Sequence, residues 1–393
     1  MGSTLRLTLA VAVAVSRPAL AAAADDLART PPMGWNSWNA FHCEVNEAVV
    51  RAAADALVAS GLRDAGYRYV VVDDCWQGDR DAAGRLQPDR GRFPLGMKAL
   101  ADYVHEKGLS FGLYSGAGEL SCASRPGSRG HEAVDARTWA EWGVDYVKYD
   151  WCHTEGMDPR DAYGRMSQAL RATGRPIVFS ICEWGTSKPW TWAAGVGHLW
   201  RATRDIQPCW DCGTEWGGTG IAHILDSAAE LHAFAGPGRW NDLDMLEVGH
   251  AGLSAGETRA HFSLWALLAS PLMAGNDLAA MTSATRDVLL NREVIAVSQD
   301  PLGVAGRKVL DGGHDEVWAR PLADGSRAVV LLNRGTDTMA VRCRVEDLGF
   351  APNQKVVLRD LWKHAEVPLE FGMFVEGKVK PHDVVMLRVT PVD

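Results

Sequence analysis

Acidic side chains follow short apolar runs at several points in the first 250 residues. Five runs of strand-like composition end in such residues: Asp73-Asp74, Lys148-Tyr149-Asp150, Glu183-Trp184, Arg201 followed by Asp205, and Asp242-Leu243-Asp244. A single carboxylate of this kind could be an ordinary solvated loop charge. Five of them indicate one shared acidic pocket, because the carboxyl ends of the parallel strands in a barrel open onto the same face.

Two carboxylates carried by different strands can cleave a glycosidic bond, one as the nucleophile and the other as the acid/base. Asp150 is the candidate nucleophile, since it ends an apolar run. Lys148, two residues earlier, points to the same side of the predicted strand. A nearby cation lowers the pKa of a carboxylate, so we expect Asp150 to stay ionised. Asp205 is the candidate acid/base.

Tryptophans accompany these charges. They are Trp35, Trp76, Trp151, Trp184, Trp200 and Trp240. An indole can cover the apolar C–H face of a sugar while carboxylates accept hydrogen bonds from its hydroxyls. Core packing explains any single tryptophan at least as well. For Trp35, at the end of the first predicted strand, we expect a position in the pocket.

The elements that must position these residues alternate between strand and helix. The strand candidates are Met33–Trp35, Tyr67–Val72, Ser110–Tyr114, Val144–Tyr149, Ile177–Ile181, His198–Trp200, Arg239–Asn241 and Leu272–Ala274. Helical patterns lie between them, at Val45–Ser60, Leu95–Lys107, Asp158–Thr173, Ile221–Phe234 and Glu257–Ala269. Eight strands, each followed by a helix, predict an α/β fold of the (β/α)8 TIM-barrel type. The alternative is a doubly wound open sheet, which would usually carry a glycine-rich phosphate loop after its first strand.

The pattern changes near residue 302. Short alternating runs follow, at Glu316–Arg320, Ala328–Asn333, Met339–Arg344, Lys355–Asp360 and Val384–Val389, separated by Gly, Asp and Asn turns. This pattern is typical of an antiparallel β-sandwich. The sequence therefore predicts a catalytic barrel at 25–303 and a C-terminal β-sandwich without catalytic groups at 304–393.

The N-terminus has the features of a secretory signal peptide at 1–24. An apolar run at 7–15 follows one positive charge and precedes the small residues Ala19-Leu20-Ala21. We therefore expect a secreted or periplasmic protein with no membrane segment in its mature form. The composition, with 47% hydrophobic and 23% charged residues, is that of a globular protein. A net charge of −9 without a basic run argues against a nucleic-acid partner.

Eight cysteines fit an oxidising compartment. Cys209 and Cys212 form a C-x-x-C motif, but no second pair stands at the spacing of a zinc site, so we predict no metal and no cofactor. Cys182 and Cys343 are expected to be small buried apolar residues.

Five ordered motifs resemble those of one family. They are Met33-Gly34-Trp35-Asn36-Ser37-Trp38-Asn39, Val72-Asp73-Asp74-Cys75-Trp76, Phe111-Gly112-Leu113-Tyr114-Ser115, Tyr146-Val147-Lys148-Tyr149-Asp150-Trp151-Cys152 and Trp240-Asn241-Asp242-Leu243-Asp244-Met245-Leu246. The sequence from 29 to 305 resembles the α-galactosidases (melibiases) of glycoside hydrolase family 27. The tail resembles the C-terminal sandwich of that family less specifically.

The resemblance implies a retaining, exo-acting enzyme for α-D-galactosides, with Asp150 as nucleophile and Asp205 as acid/base. The positions that would line the galactose pocket are Trp35, Asp73, Asp74, Tyr114, Cys122, Lys148, Cys152, Glu183, Trp184, Arg201, Asp244 and Met245. It also implies the disulfides Cys43–Cys75 and Cys122–Cys152.

The resemblance places the 4- and 6-hydroxyls of galactose at Asp73 and Asp74. The 2-hydroxyl would lie by Arg201 and Asp244. Relatives acting on N-acetylgalactosamine have small residues where this chain has Glu183-Trp184, which should crowd an acetamido group. A preference for β-L-arabinopyranose stays open, as do the natural glycoside and the oligomeric state.

Two further alternatives stand outside this family. A barrel lyase could use Lys148 as a Schiff base, and a carbohydrate-binding module would need neither Asp150 nor Asp205.

Overall fold

The computed structural model describes residues 26–367 and 374–392 of the chain. The predicted signal peptide, 1–24, lies outside these residues.

Eight parallel strands form the first sheet. They are β1 Met33–Asn36, β2 Tyr69–Val72, β3 Ser110–Gly116, β4 Tyr146–Asp150, β5 Val178–Cys182, β6 Leu199–Arg201, β7 Trp240–Asp242 and β8 Leu272–Ala274. They follow each other around the sheet, and β8 pairs with β1. The chain just after β7 closes the ring, since Leu246 forms a parallel bridge with Ala274 and its N–H donates to the Met273 carbonyl at 2.7 Å. The fold is therefore a barrel and not an open sheet.

The helices surround this sheet. They are α1 Trp38–Phe41, α2 Glu47–Ala59, α3 Leu62–Ala65, α4 Gly96–Glu106, α5 Glu132–Trp142, α6 Pro159–Ala172, α7 Ile221–Ala228, α8 Ala255–Leu267, α9 Ser283–Leu289 and α10 Arg292–Ser298. Side-chain caps begin several of them, as at Asn46, whose oxygen accepts from the Val49 N–H, and at Ser254, which forms a capping box with Glu257.

Two of the expected helices differ in the structure. Only a 3-10 turn, Pro189–Thr191, lies between β5 and β6, so not every strand is followed by an α-helix. The pattern predicted as one helix at Ile221–Phe234 is divided, because α7 ends at Ala228 and a separate 3-10 turn covers His232–Phe234. Apolar residues at helical spacing do not distinguish a continuous helix from two shorter pieces that bury the same face.

The register of the barrel requires a glycine at one position of the first motif. A Cβ at Gly34 would lie 2.3 Å from the carbonyl oxygen of Tyr69 on the neighbouring strand β2. Any larger residue would separate β1 from β2 and displace the loop after β1 that reaches the cavity.

The C-terminal strands form an antiparallel sandwich. They are β9 Arg307–Asp311, β10 Asp315–Pro321, β11 Arg327–Asn333, β12 Met339–Arg344, β13 Val356–Asp360, β14 Ala365–Val367, β15 Phe374–Val379 and β16 Val384–Pro391. Six of them form one sheet in the order β9-β10-β11-β16-β13-β14, and β12 pairs with β15 in a second sheet. Strands β9, β14 and β15 had no clear sequence signal, since their residues are largely exposed or polar.

Helix α8 joins the two domains. Every residue from Ala260 to Leu267 is buried, because barrel and sandwich pack on opposite sides of the helix. On β11, Val330 and Leu332 belong to the core shared with the barrel, whereas Val329 and Leu331 belong to the core between the two sandwich sheets. Among the described residues, no helix has the length and apolar character needed to cross a membrane.

Candidate active site

A cavity of about 730 Å³ opens at the carboxyl ends of the barrel strands. Its lining comes entirely from the barrel, between Trp38 and His250. Twelve of the fourteen predicted site residues line it: Asp73, Asp74, Tyr114, Cys122, Lys148, Asp150, Cys152, Trp184, Arg201, Asp205, Asp244 and Met245. Four strand ends and their loops therefore contribute carboxylates to one enclosed space.

The other two predicted residues lie behind the cavity wall. Trp35 is fully buried, and its indole N–H donates to the carbonyl of Asn276 at 2.9 Å. Glu183 is also fully buried, and its carboxylate accepts from the Ser187 N–H at 2.7 Å. Glu183 thereby supports the turn that presents Trp184, whose backbone is left-handed with φ 57°.

Most of the tryptophans beside the charges belong to the core. Trp76, Trp200 and Trp240 are fully buried and do not line the cavity. Their indole N–H groups are satisfied inside the protein, as in Trp76, which donates to the Tyr114 carbonyl at 2.8 Å. These rings fill space between strands and helices.

Asp150 ends β4 and is only 6% exposed. One carboxylate oxygen accepts from the Trp151 N–H at 2.9 Å, and the carboxylate lies within 4.8 Å of the sulfurs of Cys122 and Cys152. Burial raises the pKa of Asp150 to about 6, although the charge of Lys148 acts in the opposite direction. Lys148 therefore does not hold the pKa of Asp150 below its usual value, because desolvation outweighs the attraction of the ammonium, yet a carboxyl with a pKa of about 6 is still mostly ionised at neutral pH.

Lys148 is paired with another carboxylate. Its ammonium lies 2.8 Å from Asp73 Oδ2, and the same oxygen accepts from Asn36 Nδ2 at 2.7 Å. Burial alone would lower the pKa of Lys148, but the Asp73 and Asp150 carboxylates raise it above its usual value. A lysine held in the ammonium form cannot attack a carbonyl, so the Schiff-base alternative has no support here.

Asp73 and Asp74 form a rigid pair after β2. The Asp74 N–H donates to Asp73 Oδ1 at 2.9 Å, and the two oxygens of Asp74 accept from the N–H groups of Cys75 and Ala123 at 2.7 and 2.8 Å. Burial raises the pKa of Asp74. Backbone donors thus fix both carboxylates at the cavity wall, where their remaining lone pairs can accept from ligand hydroxyls.

Arg201, across the cavity from Asp73 and Asp74, pairs with two carboxylates, those of Asp205 and Asp244. Its Nη2 lies 2.7 Å from Asp205 Oδ1 and 2.9 Å from Asp244 Oδ2. Asp244 has a left-handed backbone, φ 80°, and its Oδ2 also accepts from the Ile206 N–H at 2.8 Å. Burial raises the pKa of Asp244, and Arg201 opposes that rise. Asp205 differs from these buried groups, since 44% of its side chain is exposed.

Three disulfides are present in the described residues. Cys43–Cys75 and Cys122–Cys152 confirm the pairs implied by the resemblance, and Cys209–Cys212 closes the C-x-x-C motif. Cys182 and Cys343 are free and buried, as expected. Within the described part of the chain, the single group of possible metal ligands is Cys122, Asp150 and Cys152. Its two sulfurs are joined to each other and are not available as thiolates.

Several cavity residues were not predicted from the sequence. They include Trp38, Asn39, His42, Arg204, Gln207, Trp216, Glu247 and His250. Trp38 and Asn39 belong to the first family motif, 33–39, so the sequence did contain a signal for them. Glu247 follows another motif by one residue, and burial raises its pKa to about 8. In the segment that carries Trp216, the C-x-x-C motif was the one sequence feature noted, and it did not indicate a position in the cavity.

Two family models match the chain. One, described as Alpha galactosidase A, matches residues 30–300, and the other, Alpha galactosidase C-terminal beta sandwich domain, matches residues 312–389. The chain belongs to the α-galactosidases of glycoside hydrolase family 27. It is therefore an enzyme, a glycosidase with α-galactosidase activity.

Individual members of family 27 are similar over nearly the whole chain. Alpha-galactosidase A of Cellvibrio japonicus is 50% identical, with 98% of each chain covered. The crystal structure of α-galactosidase I from Mortierella vinacea has a TM-score of 0.90 at 37% identity, covering 93% of this chain and 98% of the other. A Saccharomyces cerevisiae α-galactosidase solved with raffinose has a TM-score of 0.89 at 30% identity, covering 94% and 99%.

Proposed function

We propose that this family 27 enzyme removes terminal α-D-galactosyl residues with retention of configuration, by double displacement through a covalent galactosyl-enzyme. The observation that carries the proposal is the contrast between two aspartates of one cavity. Asp150 is buried at the end of β4, whereas Asp205 is half-exposed. Their charges interact, since Asp205 contributes to the raised pKa of Asp150. A nucleophile at the bottom and an acid at the solvent side suit cleavage of a terminal sugar.

In the first step, an oxygen of ionised Asp150 forms a bond to the anomeric carbon. The bond from that carbon to the glycosidic oxygen breaks, and protonated Asp205 gives its proton to the departing oxygen. In the second step, Asp205 takes a proton from water, whose oxygen bonds to the anomeric carbon. The bond to Asp150 breaks, which restores the carboxylate and releases galactose. Two inversions give net retention.

The walls of the cavity support galactose as the sugar. Asp73 and Asp74 offer adjacent carboxylate acceptors for the 4- and 6-hydroxyls, and Lys148 stands beside Asp73 as a donor. Arg201 and Asp244 form the side proposed for the 2-hydroxyl. Trp184 lines the cavity, where its indole would crowd an acetamido group. β-L-arabinopyranose has no 6-hydroxyl and would leave one buried acceptor without a partner.

Proton NMR of the first sugar released from a fast-cleaved α-galactoside tests the mechanism. We expect the α-anomer before mutarotation, and early appearance of the β-anomer would refute Asp150 as nucleophile. Rates on the p-nitrophenyl α-galactoside, α-N-acetylgalactosaminide and β-L-arabinopyranoside test the sugar preference, with the galactoside expected to be fastest.

Substitution of Asp205 provides an independent test of its role as the acid/base. Asp205→Ala should lose most activity on natural galactosides and less on substrates with good leaving groups, which need little protonation. Added azide should partly rescue it by forming the α-azide. Asp150→Ala should be inactive on every substrate.

We also propose that the enzyme is exported. The three disulfides are typical of an oxidising compartment. Fractionation of the source cells, with activity expected outside the cytoplasm, is the test.

A further inference from the structure

The segment 205–220, which contains the Cys209–Cys212 disulfide, lies at the edge of the cavity. It contains two tryptophans in contrasting environments. Trp210 is buried and stacks on His382 of the sandwich, with ring centroids 5.0 Å apart. Trp216 is 63% exposed. Of the large exposed apolar side chains in the described part of the chain, Trp216 alone lines the cavity.

The exposed indole is held in a defined place. The Gly218 N–H donates to Thr214 Oγ1 at 2.7 Å, and the Thr214 N–H donates to the Gly218 carbonyl at 2.9 Å, which closes a tight turn around Trp216. The indole lies against Gly218, where a Cβ would come within 2.6 Å of its ring. Part of the ring system is thus supported by backbone while most of its surface remains open to solvent.

The same loop is bonded to the segment that carries the acid/base candidate. The Thr219 N–H donates to the Asp205 carbonyl at 2.8 Å, and the Gln207 N–H donates to the Thr219 carbonyl at 2.8 Å. The position of Trp216 is therefore coupled to that of Asp205 through two short backbone hydrogen bonds. Any group departing past Asp205 leaves beside this turn.

Polar side chains accompany the indole. Arg204 and Gln207 line the cavity together with Trp216. A Cβ at Gly217 would lie 3.7 Å from Arg204 Nη1, so the guanidinium rests against the same turn. An open aromatic surface with neighbouring hydrogen-bond donors matches a pyranose ring, which has an apolar C–H face and a rim of hydroxyls.

We propose that Trp216, with Arg204 and Gln207, forms the subsite for the sugar ring that is attached to the departing oxygen. The substrate class is then α-galactosides whose leaving group is a pyranose, as in oligosaccharides and galactosylated polysaccharide chains. This inference rests on the proposed function, because it assumes that Asp205 protonates that oxygen. The Cys209–Cys212 disulfide lies next to this subsite, because the Gly220 N–H after the Trp216 turn donates to the Cys212 carbonyl at 2.9 Å.

The test compares substrates with and without a ring in the leaving group. For Trp216→Ala we expect kcat/KM on melibiose and raffinose to fall about tenfold, equivalent to about 1.4 kcal/mol. The kcat/KM for α-galactosyl fluoride, whose leaving group has no ring, should stay within about twofold of the wild-type value, because a fluoride leaving group does not contact Trp216. Trp216→Phe should recover most of the activity on melibiose, since it keeps an aromatic face.

Two further variants complete the experiment. Leu95→Ala is the matched control, since Leu95 is 65% exposed and lies outside the cavity. This variant should leave kcat/KM unchanged on both melibiose and α-galactosyl fluoride. Gly218→Ala keeps the indole but displaces it, so it should lower activity on melibiose in the same direction as Trp216→Ala.

Three outcomes separate the possibilities. An equal loss on melibiose and on the fluoride would overturn the subsite, because Trp216 would then support the catalytic residues alone. No loss on melibiose would also overturn it. A wild-type enzyme inactive on the fluoride and on every α-galactoside would instead refute the proposed function itself.

Discussion

Asp150→Asn should make the protein more stable while abolishing its activity. The substitution keeps an oxygen that can accept from the Trp151 N–H at 2.9 Å, and it removes a charge that is desolvated at the bottom of the cavity. Folding raises the pKa of this carboxyl, so the folded protein holds the proton more tightly than the unfolded chain does. The wild-type protein therefore loses stability as the pH rises from 3.8, the ordinary pKa of the group, to about 6, its pKa in the folded protein.

The magnitude follows from these two pKa values. Above pH 7 the ionised Asp150 carboxylate lowers the free energy of unfolding by about 3 kcal/mol, and at pH 4 by only about 0.5 kcal/mol. With an unfolding entropy of about 2.1 cal/mol/K per residue, a chain of this size should gain about 4 °C in Tm at pH 7.5. The gain at pH 4 should be below about 1 °C.

Differential scanning calorimetry of both proteins at pH 7.5 and pH 4 provides the measurement. Asp205→Asn is the matched control, since it also removes a catalytic carboxylate but one that is 44% exposed and paired with Arg201 at 2.7 Å. Its Tm should be equal to or below that of the wild type at both pH values. A Tm gain for Asp150→Asn that is absent at pH 7.5, or equally large at pH 4, would refute the argument that burial raises its pKa.

Three more predictions concern the same cavity. Because Asp150 must be ionised to attack and burial raises its pKa to about 6, kcat/KM should fall about tenfold per pH unit below pH 6, and a flat profile down to pH 4.5 would contradict this. Lys148→Met leaves the buried Asp73 carboxylate without its ion pair, so urea unfolding should report a loss of about 3 kcal/mol, while the acid limb of the rate profile moves to higher pH. Mild reduction of Cys122–Cys152, which lines the cavity beside Asp150, should lower activity before circular dichroism reports unfolding; full activity with both thiols alkylated would contradict it.

Local sequence patterns were sufficient for the barrel strands and for most of the site. Each of the eight strand candidates overlaps an observed strand, because short apolar runs bounded by polar residues are a local property of a buried parallel strand. The position of Asp150 follows directly from that pattern, since strand ends in a barrel share one face. The family motifs then identified further cavity residues, such as Tyr114 and Met245, whose chemistry alone would not distinguish them.

Tertiary structure alone decided how these residues interact. Lys148 and Asp150 share a side of β4, yet the ammonium pairs with Asp73, which follows β2, because the register between strands sets which charges meet. Trp35 was expected in the pocket but is enclosed by the core, whereas Trp216, which no sequence signal singled out, stands at the cavity edge. Composition and periodicity report which faces are buried. Burial of a charge, and hence the pKa of Asp150, depends on contacts between segments far apart in the chain, and these exist only after the barrel has closed.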